Sequence, residues 1–429
     1  MALQEANFWL STVDPATGQA AADWPARVDV AVIGAGITGL STARALAKGG
    51  ATVAVLDAHQ PGWGASSRNG GMVLTGLKVG AATLVANYGL ERARRLHTAS
   101  VASIDCVEQV VREEGITCDF ARRGHLETAA RPSHFRQFRV AAERLERDFN
   151  HKVRLVERAE LSTEIGSDLY FGGLVDEASA GLNPARYVAG LARAAARAGA
   201  SLWGDTPVQA VSRAGAGFRV KTPRGELAAG NVAVATSGYT GPATPRLRRR
   251  IVPIGSYIIA TDVLPEALAR EVSPRDRMIF DSKNFLYYFR LTPDRRMLFG
   301  GRAGFFPETP GTVRESADIL RRAMVSVYPQ LAGRPVEYAW GGTLDFAFDL
   351  MPHLGQMDGL WYALGYAGHG VALASWMGAA LARGLLGDQS QDNPFTDLPF
   401  PGAPLGLYDG RPWFLPLAEV WYRFLDWVS

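Results

Sequence analysis

Cysteine is almost absent from this 429-residue chain, with Cys106 and Cys118 the only two. Their spacing suits neither a metal knuckle nor a CxxC redox pair. So few thiols are expected in a reducing compartment, the cytoplasm being the simplest one. Lysine is nearly as scarce, at positions 48, 78, 152, 221 and 283, so arginine carries the positive charge. A net charge of +3 leaves no electrostatic footprint for nucleic acid. No apolar run approaches the ~18 residues of a transmembrane helix. The N-terminal MALQEANFWLSTVDPATGQ has neither a basic leader nor an apolar core, so it does not read as a secretory signal. The histidines (59, 97, 125, 134, 151, 353 and 369) are scattered and none falls in HExxH spacing, so no metal site is expected. GxSxG and GxxxxGK[ST] are missing too, which removes serine-hydrolase and nucleotide-triphosphatase readings.

What the chain does have is glycine, 47 residues of it, and two neighbouring stretches place it in recognisable patterns. Residues 30–57 read VAVIGAGITGLSTARALAKGGATVAVLD. A β-type run meets Gly34-Ala35-Gly36-Ile37-Thr38-Gly39, a helix follows, and a second β-type run ends in Asp57. This is the βαβ grammar of a site for an ADP moiety. Gly34 permits the tight turn, Gly36 lets backbone approach a pyrophosphate, and Gly39 lets helix pack on strand. The helix N-terminus, with Ile37 and Thr38, offers unpaired amides and a positive dipole end. Asp57 is placed to accept ribose hydroxyls, and an acid there disfavours a 2′-phosphate. The second glycine cluster follows at once. Gly62 to Gly71 (GWGASSRNGG) has little side-chain bulk and can lie against a large planar ligand, with Ala65, Ser66, Ser67, Arg68, Asn69, Gly70 and Gly71 as candidate contacts.

The GASSRNGG loop resembles the one after the second strand in FAD-dependent amine and amino-acid oxidases, the superfamily of D-amino-acid, glycine and sarcosine oxidases. Its bacterial gamma-glutamylputrescine oxidase-like branch carries a Ser-Arg-Asn-Gly-Gly loop. Further along, Val232–Ala235 with Thr236-Ser237-Gly238-Tyr239 resembles the second flavin strand and its turn. Phe285–Gly301 resembles the substrate-sheet hairpin, Trp340-Gly341-Gly342 to Pro352 a WxG…D..P stretch, and Gly365-Tyr366-Ala367-Gly368-His369-Gly370 a GYSGHG motif. The matches run in order from about residue 30 to 400.

The resemblance implies an α+β two-domain flavoprotein. A Rossmann-type FAD-binding domain would comprise 28–85, 151–249 and 338–400. A substrate domain on a large antiparallel sheet would comprise 86–150 and 250–337. Residues 1–27 would form a surface arm. In the 401–429 tail, Leu417, Val420, Trp421, Phe424, Leu425 and Val428 share one helical face. That helix would dock on the body, form a dimer contact or lie on a membrane surface; the oligomeric state stays open. FAD contacts beyond the first two clusters would come from Val208, Thr236, Gly238, Gly342, Gly368, His369, Gly370 and Val371. No cysteine in 338–348 and no histidine in 62–76 offers a covalent attachment, so the FAD is expected to be non-covalent.

The implied reaction moves a hydride from the carbon next to an amine nitrogen to flavin N5. The imine then hydrolyses, and O2 is reduced to H2O2. His369, Tyr257, Tyr288 and Tyr366 are the candidate catalytic or substrate-wall residues, with Tyr287 and Trp340 as further wall aromatics. The sarcosine branch has a carboxylate-binding lysine after Gly-His-Gly, where this chain has Val371-Ala372-Leu373-Ala374. A mostly apolar pocket is therefore expected there, with Arg68, Arg290 or Arg302 as possible substitutes for the cation. The substrate expected is a small-molecule secondary amine or a gamma-glutamyl-polyamine-like amine. A small amino-acid oxidase, a quinone- or carrier-linked dehydrogenase, and a non-catalytic electron-relay subunit stay open as alternatives.

Overall fold

A computed structural model describes residues 3–13, 23–301, 310–388 and 393–416. The amphipathic face expected in the C-terminal tail, and with it the dimer and membrane readings, lies outside the described residues, as does Arg302.

The central strand of the first sheet, Arg27–Ile33, is flanked in parallel by Val53–Leu56 and Gly225–Val234. The sheet runs His353–Met357, Leu360–Leu364, Gly225–Val234, Arg27–Ile33, Val53–Leu56, Ser201–Trp203, with the hairpin strands Ala210–Ala214 and Gly217–Thr222 added at Gly225–Val234. Val53–Leu56 is buried on both faces, as parallel strands covered on both sides are. One face packs Val30, Val32, Val53 and Val55 against the helices Ile37–Lys48, Pro184–Arg197 and Gly370–Leu385. The other packs Ala31, Leu56, Trp203 and Tyr362. Local grammar is obeyed where it was legible: the Asn183 carboxamide oxygen accepts the Arg186 amide at 3.1 Å, and Pro184 opens the helix behind it.

The second sheet has eight strands, in the order Val336–Ala347, Ile251–Val263, Arg296–Gly301, Tyr287–Leu291, Met278–Asp281, His125–Thr128, Gly172–Asp176, Arg154–Glu157. All pairs are antiparallel except Met278–Asp281 with His125–Thr128. Its core holds Phe289, Phe299, Leu320 and Tyr328. The domain boundaries therefore differ from the expected ones. Arg154–Glu157, Gly172–Asp176 and Val336–Ala347 belong to this sheet, because their backbone pairs are here. Conversely, the helix Ala81–Glu114 buries Leu96, Ile104 and Val107 in the core of the first sheet.

The arm also departs from expectation. Trp9 is 0% exposed, and Phe8 and Trp9 pack with Ile258, Leu298 and Trp340 of the second sheet. No helix among the described residues is long and apolar enough to cross a membrane.

Candidate active site

The glycine turn is dictated by space. Gly34 has φ +104°, a conformation side chains disfavour, and a Cβ there would meet the Ala235 oxygen at 2.5 Å. At Gly39 a Cβ would stand 1.8 Å from the Gly34 oxygen, so helix and strand touch backbone to backbone. The Asp57 carboxylate accepts the Ala35 amide at 2.6 Å and the His59 amide at 2.9 Å. Burial raises its pKa, opposed by those two amides. At Gly36 a Cβ would meet the Ser66 hydroxyl at 2.7 Å, and that hydroxyl accepts the Ile37 amide at 3.0 Å. Ser66 thus joins the helix N-terminus to the glycine loop. The Thr38 and Gly39 amides follow in the first turn, ahead of any i→i−4 acceptor. Val208 sits in the segment after Ser201–Trp203, where the Thr206 amide donates to the Asp57 carbonyl at 2.7 Å.

Loop 65–71 is held from inside rather than left with free donors. Asn69 donates to the Ala65 and Ser66 carbonyls and accepts the Gly71 amide at 2.8 Å. Gly71 has φ +67°, and a Cβ there would lie 2.1 Å from the Leu182 oxygen. Asn7 donates to the Ser67 carbonyl at 2.8 Å, the Trp9 indole to the Asn69 carbonyl at 2.9 Å, and the Trp340 indole to the Arg68 carbonyl at 3.0 Å. Ser67 is 1% exposed. Arg68 donates to the Trp63 and Gly341 carbonyls. Asn7 and Trp9 are supports that sequence reasoning missed, since nothing in an N-terminal arm signals contact with a loop 60 residues on.

A cavity of about 520 Å³ opens from this loop. Its lining includes Ala65, Arg68, Asn69, Gly70, Gly342, Gly368, His369 and Val371, expected singly from the sequence and brought together here by the fold. Thr236 and Gly238 stand behind, at the turn after Gly225–Val234, and a Cβ at Gly238 would meet the Leu344 oxygen at 2.7 Å. Gly370 starts its helix directly after His369. The His369 Nδ1 is buried with no hydrogen-bond partner. Burial, reinforced by the field of Lys78, lowers the imidazole pKa to about 3, so it is neutral at ordinary pH. A glycine-lined wall, an orphan imidazole nitrogen and two helix N-termini fit a large planar ring joined to a diphosphate.

Of the expected tyrosines only Tyr288 lines the cavity. Its ring lies against Gly70 and across Gly300, and its hydroxyl is 3.1 Å from the Ser256 hydroxyl. Burial pushes that phenol up to about 12. Tyr257 is one residue past Ser256 on its strand and so faces the other way, donating to Thr312 at 3.2 Å. Tyr366 shares a 2.7 Å hydrogen bond with Thr38 and packs in the first core. Neither is among the cavity-lining residues, and Tyr287 and Trp340 are not either. Ala372 is 1% exposed inside the helical core, so its position does not set the pocket's polarity. Arg290 is buried and donates to the Gly71 and Leu182 carbonyls.

The cavity is not apolar throughout. Lys78, Lys283, His97, His125, His151, Glu127, Asp176 and Asp281 also line it, and sequence reading assigned none of them. His125 and Asp176 face each other in register across their strands. Asp176 accepts Thr75 at 2.6 Å and pairs with His151 at 2.7 Å, and these bonds outweigh burial and lower its pKa. Burial lowers His97 and His125 to about 4 and raises Glu127 to about 7.

The chain is similar to known proteins. A family profile described as "FAD dependent oxidoreductase" matches residues 29–383. A protein named probable oxidoreductase OrdL from Haemophilus influenzae is 31% identical over 408 residues, spanning 93% of this chain and 92% of its own. Gamma-glutamylputrescine oxidoreductase from Escherichia coli is 31% identical over 400 residues, with the same coverage. Glycine oxidase from Geobacillus kaustophilus has the same fold, with a TM-score of 0.72 at 21% identity, over 88% of this chain and 98% of that one.

Proposed function

Because this chain belongs to the family of FAD-dependent oxidoreductases, we propose that it is an amine oxidase acting at the bond between a carbon and an amine nitrogen. The observation that carries the reading is the cavity joined through Ser66 to the glycine turn, with Gly70, Gly342, Gly368 and His369 on one wall. FAD bound there supplies the two-electron acceptor. Gly34, Gly36 and Gly39, with the Ile37 and Thr38 amides, would take the diphosphate. Asp57 would take the ribose through lone pairs its amide donors leave open. Loop 65–71, Val208, Thr236, Gly238, Gly342 and 368–371 would surround the rest.

The protein's own residues must then do three things. Tyr288, fixed by Gly70, Gly300 and Ser256, walls the reacting carbon and keeps bulk water from it. Neutral His369 and the helix start at Gly370 would hold the ring and offer it dipoles rather than a full charge. The amine must bind unprotonated, because its lone pair drives the oxidation. In balance, one secondary amine, one O2 and one water give one aldehyde, one primary amine and one hydrogen peroxide.

The substrate we favour is an amine with no carboxylate on the reacting carbon. Arg68 and Arg290 spend their guanidinium groups on backbone carbonyls. One observation supports the second reading, a small amino acid: the charge of Lys78 is felt at His369. Oxygen uptake with peroxide capture decides between them. Alkyl and secondary amines should exceed glycine, sarcosine and D-alanine in kcat/KM by roughly tenfold or more, the worth of one compensated charge. The reverse order would establish the amino-acid reading, and turnover only with a quinone acceptor would remove the oxidase.

A further inference from the structure

Three carboxyl groups line the cavity, and two have a basic neighbour within 3.1 Å. Asp281 lies 3.1 Å from the Lys283 ammonium and accepts the Tyr287 amide. Asp176 is held by His151, Thr75 and the Ala178 amide. Glu127 is different. It lines the cavity, yet its carboxylate makes neither a hydrogen bond nor an ion pair with any described residue. Lys78 and Asp281 reach it only through their fields, with opposite signs. His97, His125 and His369 are kept neutral by burial and do not answer its charge. Glu127 is half-buried and opens on the cavity, so its carboxylate, with no donor of its own, can take one from a bound molecule.

Its position suggests the donor. Glu127 is opposite Phe280 in register, and Phe280 is opposite Tyr288. Two strand spacings, about 10 Å, therefore separate it from the strand of the wall tyrosine. Met72, Leu74, Leu84, Phe280 and Leu286 also line the cavity, as a methylene chain would want.

We propose that Glu127 anchors a second, protonated nitrogen of the substrate, so that the enzyme oxidises one end of an aliphatic chain whose other end is an ammonium. The ammonium donates to the Glu127 carboxylate in a charge-assisted hydrogen bond. The reaction at the near end rests on the amine-oxidase reading above; binding at the far end does not.

The test compares α,ω-diaminoalkanes with n-alkylamines of equal length on the FAD-loaded protein, wild type and Glu127→Gln, by anaerobic flavin reduction. The wild type should favour the diamine by about tenfold or more in apparent Kd. Glu127→Gln should abolish that preference. Equal preference in both proteins, or a wild-type preference for the monoamine or for an ω-carboxylate chain, overturns the proposal. If no amine reduces the flavin, the amine-oxidase reading fails, and the Glu127 anchor is read instead from diamine titration of the flavin spectrum. Tighter binding to wild type than to Glu127→Gln supports it, and equal affinity overturns it. Should Glu127→Gln lose FAD, Glu127→Asp replaces it: the shortened carboxylate should weaken diamine binding, and unchanged binding overturns the proposal.

Discussion

Replacing Gly39 by alanine should separate the helix Ile37–Lys48 from the strand beneath it. The added Cβ would stand 1.8 Å from the Gly34 oxygen and 3.2 Å from Val32 Cγ1. Ordinary contact begins near 3.4 Å, so something must yield by 3.4 − 1.8 = 1.6 Å. The obstacle is a backbone carbonyl and cannot rotate away as a side chain would. Nor is there slack behind the helix, because at Gly378 a Cβ would meet the Thr38 oxygen at 2.5 Å from the other side. Overpacking of this kind costs about 1–3 kcal/mol, and a blocked backbone argues for the upper end. The same displacement would move the Ile37, Thr38 and Gly39 amides away from the site proposed for the diphosphate. FAD affinity should therefore fall about a hundredfold, the equivalent of roughly 3 kcal/mol. The assay is FAD titration of the apoprotein, with flavin stoichiometry after gel filtration. A Gly39→Ala protein with wild-type stoichiometry and Kd would refute the close-packing argument and the phosphate site with it.

Three other outcomes follow from the same structure. Acid or heat should release intact FAD, because neither Cys106 nor Cys118 lines the cavity and the attachment positions lack cysteine and histidine; flavin retained on the denatured chain would contradict this. Trp9→Ala should cost about 3–5 kcal/mol and lower flavin content, since Trp9 is fully buried and its indole supports Asn69; a thermal melt and flavin count unchanged from wild type would show the arm to be dispensable. Below pH 6.5 the unfolded chain protonates His97 and His125, whereas burial delays this in the folded protein to about pH 4. Stability present above pH 6.5 is thus lost as pH falls towards 4, by up to about 3 kcal/mol per histidine from 6.5 − 4 = 2.5 pH units. Glu127 works in the opposite sense, stability falling as pH rises from 4.5 to about 7. Melting temperature against pH should accordingly be flatter on the acid side in His125→Gln than in wild type, and an unaltered slope would rule out His125 as a source.

The parts of the site legible in sequence are those built from neighbours along the chain. Gly34 to Asp57 and Gly62 to Gly71 are each a single run of the chain, so their residue types and spacing carry the pattern even where the contacts are distant, as with Ala235 at Gly34 and Leu182 at Gly71. The charged part of the cavity lining was hidden for the converse reason. His125 and Asp176 meet only through an antiparallel pairing across fifty residues, and His97 and His151 join them from two further elements. The tyrosines failed on strand parity and on hydroxyl partner. Tyr257 is one residue out of phase with Ser256, and Tyr366 is turned to Thr38. The expected boundary at residue 338 failed because Val336–Ala347 contributes Gly342 and Leu344 to the cavity while pairing with the second sheet.

The central claim is that an amine, bound beside Tyr288 and His369, gives two electrons to FAD held by the glycine turn and loop. Anaerobic mixing of the purified yellow protein with alkyl amines, secondary amines and diamines measures this directly. The account predicts that at least one of these amines bleaches the oxidised-flavin absorbance at a saturable rate, and that admitting air restores the colour with one H2O2 formed per flavin. Flavin that stays oxidised with every amine, or that is bleached only by amino acids, would contradict it.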